Sequence, residues 1–410
     1  MYMLVASLTA GVNIGFAQLY PVLIDSGVFA SMCPGTPTQS CPERDSALSK
    51  MLEIGAALNI LVQAPSGALL DFVGPRITCW IGLATSLAGS LLFAYSSSTF
   101  NAYTVGFALM NAGGPFVFLS IFPVATLFPY NSGFVMALLN GSFSACALLF
   151  VIFNKMYYSL NIPVKTLFLG YSVLIGVIAV CTFFFWPWRK WVIPTFTIES
   201  NHNESESNIQ IPEEPKSYWA TLKKNILNLH FLYLIIYIPT MVSMGNFYLG
   251  TSTYQLALVT SHKDQIDLYN QILGYLLPTL GIVMAPLGLI VDKLGINYAI
   301  CFFVAVSCIC HIIGIVRNLP LQIVRFVGFS IYYPYTFTLS SVFIADKFGF
   351  ETYGFQFGLV ALVSGTLGFP LTSLVDYIVL GPKVYYDWLN IIWIVCTLAG
   401  LIYPLNTVFI

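Results

Sequence analysis

Two aspartates, Asp71 and Asp292, sit in settings that invite chemistry. They stand 221 positions apart, inside APSGALLDFVG (64–74) and APLGLIVDKLG (285–295). Gly67 and Gly288 keep that offset, as do Gly74 and Gly295, and Arg76 follows the first copy. Gly133-Phe134 and Gly354-Phe355 repeat it further along the chain. Glycine lets two helices approach closely. A carboxylate at a helix end accepts hydrogen bonds from helix-terminal N–H groups or pairs with a cation. Gly67, Asp71, Gly74, Arg76, Gly288, Asp292 and Gly295 therefore read as a latch that forms and breaks between two packed units.

A second set of residues is polar but uncharged. Asn13, Gln18, Asn140, Ser142, Ser243, Asn246, Tyr248, Tyr332 and Tyr333 interrupt long apolar runs, with Asn111 beside Gly113-Gly114-Pro115 and Pro334 beside the tyrosines. Amide and hydroxyl groups are costly in hydrocarbon unless partnered, so they should face a bundle interior or a wet cavity. Such a lining suits a neutral or zwitterionic solute. The two prolines remove backbone hydrogen bonds and are expected to act as hinges.

Catalysis and metal binding find no support. The four histidines, His202, His230, His262 and His311, are scattered, and no metalloprotease, nucleophile-elbow or phosphate-loop motif occurs. No catalytic residue, metal site or cofactor is expected. Charges within apolar runs are few: Glu53, Arg325, and Asp25, Asp376 and Asp387 near span ends. Arg325 is read either as a partner for a substrate carboxylate or as a side chain snorkelling to the interface. A proton-coupled carrier usually needs a carboxylate in the middle of a cavity-lining span, and none is evident. That favours facilitated diffusion over proton symport.

The elements that position these residues must be membrane helices. Of 410 residues, 58% are hydrophobic and 8% charged, against about a quarter charged in soluble domains. A span needs about 20 apolar residues. Apolar runs predict helices over 2–24, 48–72, 76–97, 103–127, 132–154 and 165–187, then 229–252, 267–292, 297–316, 320–345, 353–378 and 385–408. The runs are continuous rather than alternating, which excludes a β-barrel. A net charge of −1 gives no reason to expect a nucleic-acid partner. The first run reads as a span, not a removed leader.

The expected fold is an all-α membrane protein of twelve transmembrane helices in two pseudo-symmetric six-helix bundles. Residues 1–188 form the first bundle and 226–410 the second, joined by a polar, acidic linker at 189–225. Cys33 and Cys41 flank the polar loop after the first span and would form a disulfide if it faces an oxidising compartment.

The pattern G-x-L-x-D-x-x-G-x-R at Gly67, Leu69, Asp71, Gly74 and Arg76 resembles the signature of the major facilitator superfamily, and 288–295 resembles its degenerate second copy. The resemblance implies alternating access and a cytoplasmic latch loop, with both termini inside. Lysine and arginine are too evenly spread to decide orientation. Asn203 begins an N-x-S sequon in the linker, and the inside placement implies that it carries no glycan.

Further motifs are similar to solute carrier family 43 and to apicomplexan amino-acid transporters. They are GFAQLYPVLIDSGVFASMC (15–33), SCPERDSALSKMLEIGAALN (40–59), PSGALLDFVGPR (65–76), LFPYNSGFVMALLNGSFSACALLFVIFNKMY (127–157) and NFYLGTSTYQLALVT (246–260). The resemblance implies sodium-independent facilitated transport of large, branched or aromatic neutral amino acids by a monomer, in the plasma membrane or an organelle membrane. The alternatives are a nucleobase facilitator and a proton-coupled symporter of a small neutral solute.

Overall fold

Backbone polar groups in hydrocarbon must bond within their own segment, so a chain this apolar can cross a bilayer only as helices or a closed barrel. The computed structural model describes residues 1–33, 41–97, 99–188, 217–282, 284–367 and 384–408, and among them there is no strand. The first bundle holds α1 (Tyr2–Thr9), α2 (Phe16–Asp25), α3 (Pro42–Leu61), α4 (Gln63–Val73), α5 (Pro75–Ala94), α6 (Tyr103–Ile121), α7 (Ser132–Ser144), α8 (Ala147–Leu160) and α9 (Val164–Phe185). Pairs α1/α2, α3/α4 and α7/α8 each make one span. A short helix, α10 (Tyr218–Ile226), precedes the second bundle. That bundle holds α11 (Leu229–Ala257), α12 (Lys263–Ile282), α13 (Ala285–Leu294), α14 (Ile296–Ile315), α15 (Leu319–Phe348), α16 (Tyr353–Thr366), α17 (Val384–Leu398) and α18 (Ile402–Val408). Here α12/α13 and α17/α18 pair. The linker residues 189–216, with Asn203, and Asp376 lie outside the described residues.

Among the described residues, eight segments are long and apolar enough to cross a membrane, and the bent first pair makes nine. The remaining three of the twelve are polar or only partly described. The α12 helix opens on KDQIDLYNQ, and α15 carries Gln322, Arg325 and a run of tyrosine, serine and threonine. Only 14 residues of the eleventh span are described as helix.

Two sequence expectations are corrected. The first span is not one helix. It breaks at Ala10-Gly11, turns through a 3-10 segment (Val12–Gly15), and resumes at 56° to α1. Helix α3 begins at Pro42 rather than 48, because Pro42 and the acidic residues Glu43 and Asp45 suit a helix N-terminus although they are not apolar. Helices α6 and α15 continue through Pro115 and Pro334. Packing beside Pro115 is close: a Cβ on neighbouring Gly113 would collide with Ser86 and the Gly82 carbonyl of α5.

The turns carrying the two aspartates share one geometry. Gly74 and Gly295 end α4 and α13 with φ of +84° and +91°, a region that favours glycine. Pro75 then starts α5, where the missing N–H costs nothing.

At the opposite end of the second span, Arg44 is fully buried. Its Nε donates to the Val28 carbonyl at 2.7 Å, and Nη2 donates to those of Ile24 at 2.6 Å and Leu23 at 3.1 Å. These carbonyls lie at and just beyond the C-terminus of α2, where helix carbonyls lack intrahelical donors. Cys33 and Cys41 are disulfide-bonded beside this clamp, with Cα atoms 5.9 Å apart. Replacing Arg44 by Leu should cost about 2–4 kcal/mol, the penalty for leaving buried acceptors without their cation. Opening the disulfide with Cys41→Ser should cost about 2–3 kcal/mol on a loop-entropy argument. Thermal unfolding in detergent checks both. Equal melting temperatures for parent and Arg44→Leu would mean that the clamp carries no stability.

Candidate functional site

The two bundles meet through reciprocal helix caps. Helix α16 starts at Tyr353, and its N-terminal N–H groups have no cap from Thr352. Asp71, on α4 of the other bundle, supplies one: Oδ1 accepts from Gly354 N at 3.0 Å and Oδ2 from Phe355 N at 2.8 Å. The mirror arrangement joins α13 to α7. Asp292 Oδ1 accepts from Gly133 N at 2.7 Å and Oδ2 from Phe134 N at 2.8 Å, where Asn131 provides no side-chain cap. Each carboxylate thus satisfies orphan donors at the positive end of a helix dipole. Because charge assists these bonds, they exceed an ordinary neutral hydrogen bond.

The glycines make the geometry reachable. A Cβ on Gly67 would overlap the Gly354 carbonyl, and one on Gly288 would overlap that of Gly133. The α4–α16 and α13–α7 contacts are therefore main chain against main chain. Arg76, grouped with the latch by sequence, works within its own bundle. Its Nε donates to the Trp186 carbonyl at 2.6 Å, and the guanidinium lies 4.3 Å from the Trp188 ring centroid. It fastens the end of α9 rather than bridging the bundles.

Helix α10 adds a strap. Tyr218 donates to Asp71 Oδ2 at 3.2 Å, and Asn225 Nδ2 donates to Thr352 Oγ1 at 3.0 Å. Burial and the Asp71 charge push the Tyr218 phenol above its usual range, which keeps the hydroxyl a donor. Deeper in the bundle Asn140 makes another crossing. Its Nδ2 donates to Ser341 Oγ at 3.1 Å and to its own helix at Met136 O.

The uncharged residues fall into two groups. In the first bundle the 3-10 turn bearing Asn13 packs against α3 and α6. There Asn111 Nδ2 donates to Phe107 O, Asn59 Nδ2 to Asn111 O, and Gln63 Nε2 to Asn59 Oδ1, at 2.8, 3.0 and 3.5 Å. The carbonyl oxygens of Asn13, Gln63, Asn111 and Asn140 are buried and have no hydrogen-bond partner. Sequence reasoning missed Asn59 and Gln63. Their four-residue spacing in an apolar stretch, which places both on one helix face, was the available signal.

In the second bundle Tyr333 donates to Asn246 Oδ1 at 2.7 Å, its ring lying where a Cβ of Gly245 would be. The hydroxyls of Ser243, Ser330, Tyr332 and Ser340 are buried without partners. Behind them Arg325 is 4% exposed, so it is not a snorkelling side chain. Its Nη1 donates to Gln255 Oε1 at 2.8 Å and Nη2 to Asn390 Oδ1 at 3.4 Å, and Cζ lies 4.3 Å from the Tyr248 ring centroid. Among the described residues no carboxylate pairs with it. His311 Nδ1 shares Asn390 Oδ1 at 3.3 Å. Tyr248 and Tyr332 therefore belong to this buried cluster, whereas Asn246 is exposed.

Two expected ligands lie outside these clusters. The Gln18 side chain is exposed. Ser142 donates to Leu139 O of its own helix at 2.6 Å. Glu53 is exposed, and Asp387 pairs with Arg317 at 2.9 Å.

The family model described as Major Facilitator Superfamily matches residues 48–409. Protein FMP42 of Saccharomyces cerevisiae is 26% identical over 87% of this chain and 83% of its own length. Aromatic and large neutral amino acid transporter 5-3 of Toxoplasma gondii is 25% identical over 67% of this chain and 58% of its own. Arginine transporter 1 of the same organism is 28% identical over 46% and 38%. Among solved structures, FucP in the outward conformation superposes with a TM-score of 0.68 at 14% identity, covering 98% of both chains. The proton:xylose symporter XylE gives 0.64 at 12%, covering 98% of this chain and 94% of that one.

Asp71→Asn and Asp292→Asn should each weaken the closed end by about 1.5–3 kcal/mol, the worth of charge-assisted hydrogen bonds, or roughly ten- to hundredfold in the closed-to-open ratio. Spin-label distances between the bundles at that end would report the change. Distance distributions matching the parent for both variants would refute the latch.

Proposed function

Because this chain belongs to the major facilitator superfamily, a family of membrane transporters rather than enzymes, we propose that it carries neutral amino acids by facilitated diffusion, acting as a monomer. The observation that carries this reading is the charge pattern of the interior. Among the described residues the buried polar groups left unpartnered are amide oxygens and hydroxyls, with a nitrogen each of His311 and Gln356, and none belongs to a carboxylate, a lining that suits a zwitterion. The carboxylates Asp71 and Asp292 are committed to helix caps, Glu53 is exposed and Asp387 is paired. None of these is an unpaired carboxylate buried in the interior, which supports uniport. The Toxoplasma relatives named as an aromatic and large neutral amino acid transporter and as amino acid transporter 6-1 support an amino-acid substrate, while the one named as an arginine transporter is why arginine belongs in the test.

Alternating access follows from the latch. Each cap joins one bundle to the other, so rocking the bundles apart breaks both at once, and the caps bias the equilibrium toward the state closed at that end. The disulfide lies at the opposite end of the second span. A disulfide persists in an oxidising space, which supports a cytoplasmic latch with both termini inside, at the plasma membrane or an organelle membrane.

The test is counterflow into liposomes containing the purified protein, with leucine, phenylalanine, arginine, adenine and glucose at two pH values. Leucine and phenylalanine are expected to exchange at rates indifferent to a proton gradient. Accumulation only under an inward proton gradient would replace uniport by symport. Exchange of adenine alone would make the chain a nucleobase facilitator.

A further inference from the structure

The break in the first span and the amide chain beside it converge on one place. A Cβ built on Gly114 of α6 would overlap the Ala10 carbonyl oxygen at the break and lie 3.3 Å from Asn59 Nδ2. One on Gly55 would lie 2.9 Å from Asn111 Nδ2. Helices α1, α3 and α6 therefore pack here with glycine on two sides, leaving amides as the largest polar groups. Their orientation is fixed by chemistry. An amide bonded to a backbone carbonyl must present its nitrogen, since only the nitrogen donates. Asn111 is held that way by Phe107 O and Asn59 by Asn111 O. Asn59 then offers its oxygen to Gln63 Nε2. The chain thus ends in the oxygens of Gln63 and Asn111, and Asn13, on the turn that packs against α3 and α6, carries a third oxygen of the same kind, all acceptors and none with a donor. Asn111 is 1% and Gln63 8% exposed.

Three buried acceptors without donors are costly unless something supplies donors for part of the transport cycle. Water could serve, but it brings two N–H-equivalent donors and an oxygen that repels a third acceptor. A primary ammonium brings three donors and no acceptor, with a positive charge that amide dipoles favour. A sodium ion would want more oxygens than three and finds no carboxylate here. We propose that Asn13, Gln63 and Asn111 form the receptor for the substrate's α-ammonium group. The placement gives the solute a direction. Its ammonium faces the first bundle, and its carboxylate faces the hydroxyls of the second, such as Ser243 and Tyr332, which can donate. The claim rests on the amino-acid reading above and names the groups that would make it selective.

The experiment compares leucine with its 2-oxo acid, which has the same side chain and carboxylate but no ammonium, as competitors of leucine counterflow. The parent should prefer leucine by more than a hundredfold. Asn111→Leu and Gln63→Met, both close in volume to the residues they replace, should weaken leucine at least tenfold and leave the 2-oxo acid unchanged, so that discrimination collapses. Asn13→Leu, the least buried change, gives the same reading should the deeper variants fold poorly. Equal weakening of both competitors, or an unchanged preference, would overturn the receptor. So would a requirement for sodium over choline that the variants abolish. If the parent exchanges no amino acid, the reading of function fails first and the receptor falls with it, an outcome distinct from a functional parent with unaltered variants.

Discussion

One carboxylate per bundle, set on the N-terminal amides of a helix in the other bundle, is the constraint around which this molecule is arranged. Helices α7 and α16 start without caps of their own. Their first N–H groups would be unsatisfied in a dry interface, and Asp292 and Asp71 satisfy them. The glycine turns, the close main-chain approach and the strap from α10 all follow from bringing each carboxylate within bonding distance of two amides. The same arrangement makes the joint reversible, since the donors and acceptors on both sides can find water once the bundles part.

A second division runs between what is held and what is left open. Arg44 and Arg76 are spent on carbonyls at helix ends. Both fix the ends of spans rather than meet solute. Arg325 is spent on Gln255 and Asn390, and its guanidinium lies against an aromatic face, which offsets part of the cost of burying it. What remains open is uncharged and divided between the bundles. The amide oxygens of Asn13, Gln63, Asn111 and Asn140 lie in the first bundle, and the hydroxyls of Ser243, Ser330, Tyr332 and Ser340 lie in the second, together with nitrogens of His311 and Gln356.

Much of this was legible in the sequence because duplication left a constant offset. The spacing of Asp71 and Asp292 marked the two capping carboxylates, and Gly133-Phe134 and Gly354-Phe355 at the same offset hold the amides they cap. Which aspartate met which pair was not readable, since nothing local encodes contacts 159 or 283 residues away. The break in the first span was also hidden. Hydropathy is continuous across Thr9-Ala10-Gly11-Val12, and only the glycines flanking Asn13 hinted at a turn.

The contact between Gly67 and Gly354, and its counterpart between Gly133 and Gly288, is made by backbone atoms alone. Main-chain geometry is blind to the identity of surrounding side chains. The joints between the bundles and the unpartnered polar groups of the interior are therefore drawn from separate inventories. Substitutions among the interior groups leave these main-chain contacts as they are, so one scaffold can accommodate many linings.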